Sequence, residues 1–377
     1  MIDFNKSFYT ENTKKYIEDV LNEGHPSGNG KYTKLCHSWL ERNLPARKAL
    51  LVNSGTAALE MQALLADVGD GDEIIMPSFT FVSTANAYVL RGAIPVFVDV
   101  CENTCNINPD LIEQAISPKT KAIVPVHYAG VGCEMDKIAD IAKRYNLLVL
   151  EDAAQAFGAM YKGHALGTIG NLGAISFHET KNIMCGEGGA LFINDEKYGE
   201  RAEILWEKGT NRSKFFRGQV DKYTWVDIGS SYLPSDLLAA YLYSSLEMAD
   251  KVRQKRLLLW NVYYKAFEQY EKKGVLRRPF VPDECQHNAH IFYLRFNELK
   301  TRTDFINHLK SKGITAVFHY IPLHSSPAGK KFGKAVGSMK HTDTISETMV
   351  RLPIFYDLDD KTQQFIIETS YEFLERL

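Results

Sequence analysis

Between about residues 55 and 195 the sequence alternates short apolar runs with segments of helical spacing, and that alternation leaves few folds open. EIIMP (73–77), AIPVFVDV (93–100), KAIVPVHY (121–128), LLVLED (147–152), GAISFH (173–178) and ALFIN (190–194) read as strands. Several are too continuously apolar to leave one face in water, so they belong in a sheet covered on both sides. Between them, TAALEMQALLADV (56–68), STANAYVLRG (83–92), PDLIEQAI (109–116) and EMDKIADIAKRYN (134–146) have helical spacing, with Asp, Asn or Thr near several starts. The pattern predicts an α/β fold with a mostly parallel, doubly wound sheet.

From residue 235 a long helix-compatible stretch runs to Gly274, and the rest is mixed. The domain boundary is placed inside that stretch, giving a large domain over 1–245, with the N-terminal segment included, and a smaller α+β domain over 246–377. In the tail, NAHIFYLRF (288–296) and TAVFHY (315–320) are expected as strands, TDFINHLKSKG (303–313) as a helix, and a final helix from about 359.

Composition narrows the function. Hydrophobic residues make up 45% and charged residues 24%, a globular balance. Forty-four Lys plus Arg face 46 Asp plus Glu, so no overall basic field draws in nucleic acid or anionic lipid. Six scattered cysteines lack zinc spacing and are expected as free thiols. The N-terminus has no charged-then-apolar leader and no apolar run approaches membrane-spanning length, which predicts a soluble cytoplasmic protein.

Two segments carry chemistry. In LLVLEDAAQAFG (147–158) an apolar strand ends in Glu151-Asp152, and the carboxyl ends of strands in open α/β sheets face the ligand crevice. Taken alone, Asp152 would more readily be the cap of the next helix. In GAISFHETKNIMCGEGGALFIN (173–194) a strand leads to Lys181 and then to the Gly-rich turn GEGG. A lone lysine after a strand is usually a solvated charge, but this one sits among small, polar and apolar residues beside a turn that lets backbone approach a ligand. A carboxylate at a strand end with a lysine about thirty residues on meets the two needs of pyridoxal 5'-phosphate (PLP) chemistry: a Schiff-base amine and an acidic partner for the pyridine nitrogen. The cofactor's phosphate is suited by LVNSGTAALEMQAL (51–64), where Ser54, Gly55 and Thr56 open a helix, with Ser176 as a further donor; the same motif also serves as an ordinary helix cap. A Rossmann dehydrogenase is excluded, because no G-x-G-x-x-G follows the first strand.

These residues, in this order, resemble the DegT/DnrJ/StrS sugar aminotransferases: NSGTAALEMQAL, MPSFTFVSTANAYVLRGA, VPVHYAG, LVLEDAAQAFG, SFHETKN and GEGGALFIN. The likeness extends through 207–242 and through FHYIPLHSSPAG (318–329), two stretches similar to those of dTDP-4-amino-4,6-dideoxygalactose transaminases. The resemblance implies an aspartate-aminotransferase-like fold of PLP type I, a homodimer with shared active sites, L-glutamate as amino donor and a nucleotide-linked keto-sugar as acceptor. It also implies roles: Lys181 the Schiff-base lysine, Asp152 the pyridinium partner, Gln155 near the phenolic oxygen, Phe81 stacked on the pyridine, and Gly55, Thr56 and Ser176 around the phosphate. Many members read G-x-N-Y-R in the segment given to the neighbouring subunit's phosphate site. This chain has Gly229, Ser230, Ser231, Tyr232 and Leu233, so Ser231 stands where the Asn would be and Leu233 replaces the Arg.

For the sugar, His319, Tyr320 and His324 lie in a turn-rich segment able to line the mouth of a site, or equally to form a plain strand and loop. Arg212, Arg217 and Tyr223, in NRSKFFRGQVDKY (211–223), could hold a diphosphate by charge and a base by stacking, or lie in a solvated loop. The rivals left open are another class of PLP enzyme, a sister sugar aminotransferase delivering the amine to C3 or equatorially to C4, a sugar dehydratase, and a non-catalytic protein that senses PLP or a sugar. Dehydratase relatives replace the lysine with His, whereas Lys181 is kept here.

Overall fold

The computed structural model describes residues 1–377. Its centre is an eight-stranded sheet of β1 (Lys48–Val52), β2 (Glu73–Pro77), β3 (Ile94–Val98), β4 (Thr120–Ile123), β5 (Leu148–Asp152), β6 (Leu172–Ser176), β7 (Gly189–Ile193) and, at one edge, a two-residue strand Lys334–Ala335. The order is β1-β7-β6-β5-β4-β2-β3 and then the edge strand. Only the ladders of β7 with β6 and β1 are antiparallel; the others are parallel.

Alternation along each strand explains the apolar runs. After the helices α1 (Glu11–Glu23) and α2 (Lys31–Asn43), the chain forms α3 (Gly55–Leu65), and Leu50, Val52, Ile74, Met76, Leu191 and Ile193 face one core together with Ala57, Leu59, Met61 and Leu65 of α3. Ala49, Leu51, Ile75, Ala190 and Phe192 face the opposite core. There they meet Cys36 and Leu40 of a helix at Lys31–Asn43, Ile138 and Ile141 of the helix Met135–Tyr145, and Leu242 and Leu246 of the helix Asp236–Leu246. A strand buried on both faces needs apolar residues at every position, which a period of two cannot reveal.

A third core, built almost wholly from residues 257–374, packs the helix Ala249–Ala266 and the C-terminal helix Asp360–Leu374 around a small antiparallel sheet. That sheet comprises Leu276–Arg277, Phe292–Phe296 and Met349–Leu352. The first residues of the chain reach it, with Ile2 bridging Ile314. A small cluster that includes Phe79, Tyr128, Ile291, Tyr293 and Met349 joins this part to the large sheet.

Several elements differ from expectation. KAIVPVHY stops as a strand at Ile123, because Pro125 has no N–H to donate; Val126 keeps only an isolated bridge to Asp152. PDLIEQAI forms two short 3-10 turns, Pro109–Leu111 and Glu113–Ala115. The stretch from residue 235 breaks into helices at Glu247–Met248 and at Phe267. TAVFHY is not a strand: Val317 alone pairs, with Arg351, and Tyr320 turns to φ 33°. The strand at Lys48–Val52 lies just ahead of the run expected to be helical.

Candidate active site

Strand direction decides where the chemistry gathers. β1, β2, β5 and β6 end at the same edge of the sheet, and β7 begins there, so the loops after four strands and before a fifth surround one crevice. A cavity of about 670 Å³ opens at this edge. Its wall carries Gly55 and Thr56 after β1, Phe81 and Thr84 after β2, Asp152 and Gln155 at the end of β5, and Ser176 and Lys181 at the end of β6. The C-terminal region closes it with His290, Phe318, His319, Tyr320 and Arg351.

The ladders set the spacing of the first group. Val52 pairs with Gly189, which pairs with Ser176, so the start of α3 lies beside the end of β6. A Cβ on Gly55 would stand 2.8 Å from Ser176 Cβ, and one on Gly189 would stand 2.6 Å from the Ser54 carbonyl carbon; glycine is what allows this approach. Ser54 caps α3 by accepting from the Ala57 N–H at 3.1 Å. The N–H groups of Gly55 and Thr56 have no partner in the chain. They leave an anion cradle at the positive end of the helix dipole, with the Thr56 and Ser83 hydroxyls bonded to each other at 2.8 Å beside it.

The adjacent carboxylates Glu151 and Asp152 point to opposite faces, as successive strand residues must. Glu151 faces away from the cavity and is fully buried; it accepts from the N–H groups of Gly167, Ile169 and Gly170 and from His127 Nε2 at 2.8 Å. His127 Nδ1 accepts from the Cys133 N–H, so the ring is neutral and its Nε2–H donates to Glu151. That pair is structural. Asp152 faces the cavity, held by the Thr84 hydroxyl at 2.7 Å and the Ala154 N–H at 3.1 Å.

Lys181 lies in the turn after β6, its N–H bonded to the His178 carbonyl at 2.9 Å. Burial pushes its amine down to about 8; Asp152 opposes the shift and Arg351 adds to it. The shift makes the neutral, nucleophilic form of the amine available far closer to physiological pH than for an ordinary lysine. Gln155 Oε1 accepts from the Ala129 N–H at 2.7 Å and its Nε2 donates to Tyr320 Oη at 2.8 Å. Half-exposed Phe81 lies 6.4 Å, centroid to centroid, from Tyr320. His319 is stacked on Tyr320 at 3.6 Å and bonded through Nδ1 to Tyr128 Oη at 2.6 Å. Burial and nearby cations hold His319 and His290 well below the usual imidazole range, so both are neutral.

Of the residues singled out in the sequence, Gly55, Thr56, Phe81, Asp152, Gln155, Ser176, Lys181, His319 and Tyr320 share this cavity. Five stand outside it. His324 bonds Ser78 through Nδ1 at 2.8 Å and approaches Asp343 at 3.4 Å. Arg217 forks onto Glu203 at 3.0 and 2.8 Å, and Arg212 lies over the rings of Phe216 and Tyr223. Exposed Ser231 bridges Glu207, and its carbonyl accepts from Asn53 Nδ2 at 3.2 Å. Thr84, His290 and Arg351 were not read from the sequence. The one signal was an arginine inside the apolar run MVRLPIF, which asks for a partner.

The groups present fit PLP: unbonded N–H donors at a helix start for a phosphate, a carboxylate for a pyridinium nitrogen, and an amine with a depressed pKa for the aldehyde carbon. Fold and site together define a PLP-dependent aminotransferase with the aspartate-aminotransferase-like fold. The chain belongs to the DegT/DnrJ/EryC1/StrS aminotransferase family, whose profile matches residues 8–370. It is 39% identical over 319 residues to an uncharacterised protein of Methanocaldococcus jannaschii, covering 83% of this chain and 82% of that one. It is 36% identical over 338 residues to the spore coat polysaccharide biosynthesis protein SpsC of Bacillus subtilis, covering 88% and 86%. The PLP form of Spr1654 from Streptococcus pneumoniae superposes with a TM-score of 0.90 at 27% identity, covering 100% of this chain and 99% of that one. The cofactor is PLP and the protein is a sugar aminotransferase. No helix is long and apolar enough to cross a membrane.

Proposed function

We propose that the protein moves an amino group from L-glutamate to dTDP-4-keto-6-deoxyglucose, giving dTDP-4-amino-4,6-dideoxygalactose. The observation that carries the reading is the convergence of Lys181, Asp152 and the open start of α3 on one cavity. The choice of sugar is supported by the likeness of 207–242 and 318–329 to the dideoxygalactose transaminases. The protein is a cytoplasmic homodimer in this proposal, with a large domain ending at 245, just before the helix break at Glu247–Met248.

When bound, PLP supplies an electron sink for the carbon that loses its proton. Asp152, oriented by Thr84 and Ala154, holds the proton on the pyridine nitrogen. The N–H groups of Gly55 and Thr56, with the Ser176 hydroxyl, bind the phosphate. Phe81 would stack on the ring, and Gln155, whose Nε2 keeps a second proton beside the one given to Tyr320 Oη, would serve the phenolic oxygen. Lys181 Nζ takes the proton from the donor's Cα, and the same amine returns protons when the keto-sugar is aminated. Phe216, Tyr223 and Trp225 are exposed, which supports a contact through this segment and Ser231 with a second copy of the chain.

Incubation with PLP, L-glutamate and dTDP-4-keto-6-deoxyglucose, followed by NMR of the product, tests this. An axial C4 amine is expected. An amine at C3, or equatorial at C4, moves the enzyme to a sister specificity; absence of amino transfer overturns the activity.

A further inference from the structure

His290 lines the cavity, and backbone groups fix which of its ring nitrogens carries the proton. Asn288 Nδ2 donates to the Gln155 and Phe157 carbonyls, at 2.9 and 3.0 Å, so its Oδ1 is the atom that accepts from the His290 N–H at 3.0 Å. Asn182, next in the chain to Lys181, donates from Nδ2 to the Asn288 carbonyl at 2.8 Å. That turns its Oδ1 toward His290 Nδ1, 3.1 Å away. An amide oxygen only accepts, and the imidazole is neutral, so its single proton sits on Nδ1 and Nε2 keeps a bare lone pair.

Nε2 bonds nothing in the chain, and it is not sealed off: the buried side-chain atoms without a partner are Asn194 Oδ1, Arg295 Nε and Arg351 Nε. It is a free acceptor on a cavity wall whose reacting amine is close by. After burial, the Lys181 charge acts on the His290 ring more strongly than Arg256 or Arg351, although Arg256 Nη2 holds the His290 carbonyl at 2.6 Å. Lys181 Nζ has no hydrogen-bond partner in the chain, and the charges it feels are those of Asp152 and Arg351.

We propose that His290 Nε2 accepts a hydrogen bond from Lys181 Nζ whenever that amine is free of the cofactor, holding it in place for proton transfer in both half-reactions. His290 is then a positioning residue, and the proposal rests on the aminotransferase reading above. A lysine ends a flexible four-carbon stem, so a released amine wanders unless something receives it. A carboxylate would receive it as a trapped ammonium ion, whereas a neutral imidazole holds the amine and still lets its proton go.

Asparagine and glutamine at 290 separate the two ring nitrogens. His290→Asn places an amide near Nδ1, keeping a donor to Asn182 and deleting the cavity acceptor; His290→Gln reaches the position of Nε2 with an oxygen that accepts. With His290→Asn, both half-reactions of the holoenzyme, followed separately by cofactor absorbance, should slow by one common factor of roughly tenfold or more, the loss of a hydrogen bond to a charged group. KM should change little, and His290→Gln should recover most of the rate. The readout apart from turnover is the pH midpoint of PLP capture by apoenzyme. Without the acceptor the ammonium form of Lys181 loses a bond, so the midpoint should fall by about one unit from that of the parent, and His290→Gln should bring it back. Slowing of one half-reaction alone puts His290 on that half's substrate and overturns the proposal. So does an unshifted midpoint in His290→Asn, or a His290→Gln worse than His290→Asn, the order expected of a ring that serves Asn182 only. If His290→Asn does not fold, nitrogen NMR of the parent apoenzyme decides. The Nε2 signal should be that of an unprotonated nitrogen and should move in Lys181→Ala; a protonated Nε2, or no response, overturns the proposal. A parent enzyme inert toward every amino donor overturns the aminotransferase reading instead, while the capture midpoint and the nitrogen signal still decide His290.

Discussion

The Thr84 hydroxyl donates to Asp152 Oδ2 across 2.7 Å, and Thr80 Oγ1 lies 2.7 Å from the same Thr84 oxygen. Thr84 has one proton and gives it to the carboxylate, so Thr80 must donate to Thr84: a two-hydroxyl relay fixes the orientation of Asp152. Thr84→Val keeps the shape and removes the donor. Turnover is expected to fall by about tenfold or more, as for the loss of a hydrogen bond to a charged group. Steady-state kinetics beside a cofactor titration check this, and a fully active Thr84→Val would show that Asp152 needs no orientation.

Asp152→Asn tests the charge. The amide keeps one oxygen, enough to accept from Thr84 or from Ala154 but not from both as the two carboxylate oxygens do, and it cannot hold a proton on the pyridine nitrogen. Turnover should drop at least a hundredfold, roughly the scale seen when a preorganised electrostatic partner is removed, while cofactor affinity suffers less. Activity within tenfold of the parent would remove Asp152 from the pyridinium role.

The Lys181 amine, with its pKa pushed down to about 8, makes cofactor uptake dependent on pH. Below that value the amine is protonated and cannot attack; above it the amine is free. The rate of reconstituting apoenzyme with PLP, followed by its yellow colour, should therefore rise with pH to a midpoint near 8 rather than near the ordinary lysine value. Lys181→Ala should bind PLP without covalent capture and show no net amino transfer.

Parts of this were open to reading from the chain, and parts were not. The strands ending at Asp152 and Ser176 were legible because residues buried on both faces are apolar throughout, leaving little ambiguity. TAVFHY reads as a strand too, yet only Val317 pairs and Tyr320 leaves extended backbone; the tertiary contacts of Tyr320 with Gln155 and of His319 with Tyr128 outweigh its pattern. Asp152 and Lys181 stood out because their chemistry is tied to strand ends. Thr84 and Arg351 matter only through what lies opposite them in space, and no spacing in the sequence encodes that.

Gly55 makes a steric prediction. A Cβ there would stand 2.8 Å from Ser176 Cβ and 3.1 Å from its Oγ, in a place where both neighbours belong to rigid elements. Gly55→Ala should weaken PLP binding markedly by pushing the start of α3 and the end of β6 apart. Adding Ser176→Gly removes the opposing atoms and should restore much of the affinity, less what the Ser176 hydroxyl contributes. Titration of apoenzyme with PLP by fluorescence decides it: a double variant no better than Gly55→Ala would show that the close approach is not the cause.

The last prediction concerns the second chain. Ser231 stands outside its own cavity, at the end of a segment that exposes Trp225 at 78% and Phe216 at 64%. Single aromatic residues that open to water are ordinary, but several of them close to Ser231 support the proposed contact with a second copy of the chain. In a twofold dimer any exchange of segments is reciprocal. Lys181→Ala is inactive in its own site yet still offers a sound Ser231 segment, while Ser231→Trp should block the partner's site and leave its own Lys181 intact. In a mixed dimer the chain with Lys181 receives the sound segment, so one site of two works. With random exchange in an equal mixture, half the dimers are mixed, and activity should return to about a quarter of the parent level by that symmetry. Recovery requires that Ser231→Trp be folded, dimeric and inactive alone, which circular dichroism, gel filtration and a transamination assay of the variant by itself establish first. If the segment serves its own chain, the intact Lys181 always sits beside the blocking tryptophan, and verified heterodimers will show no activity.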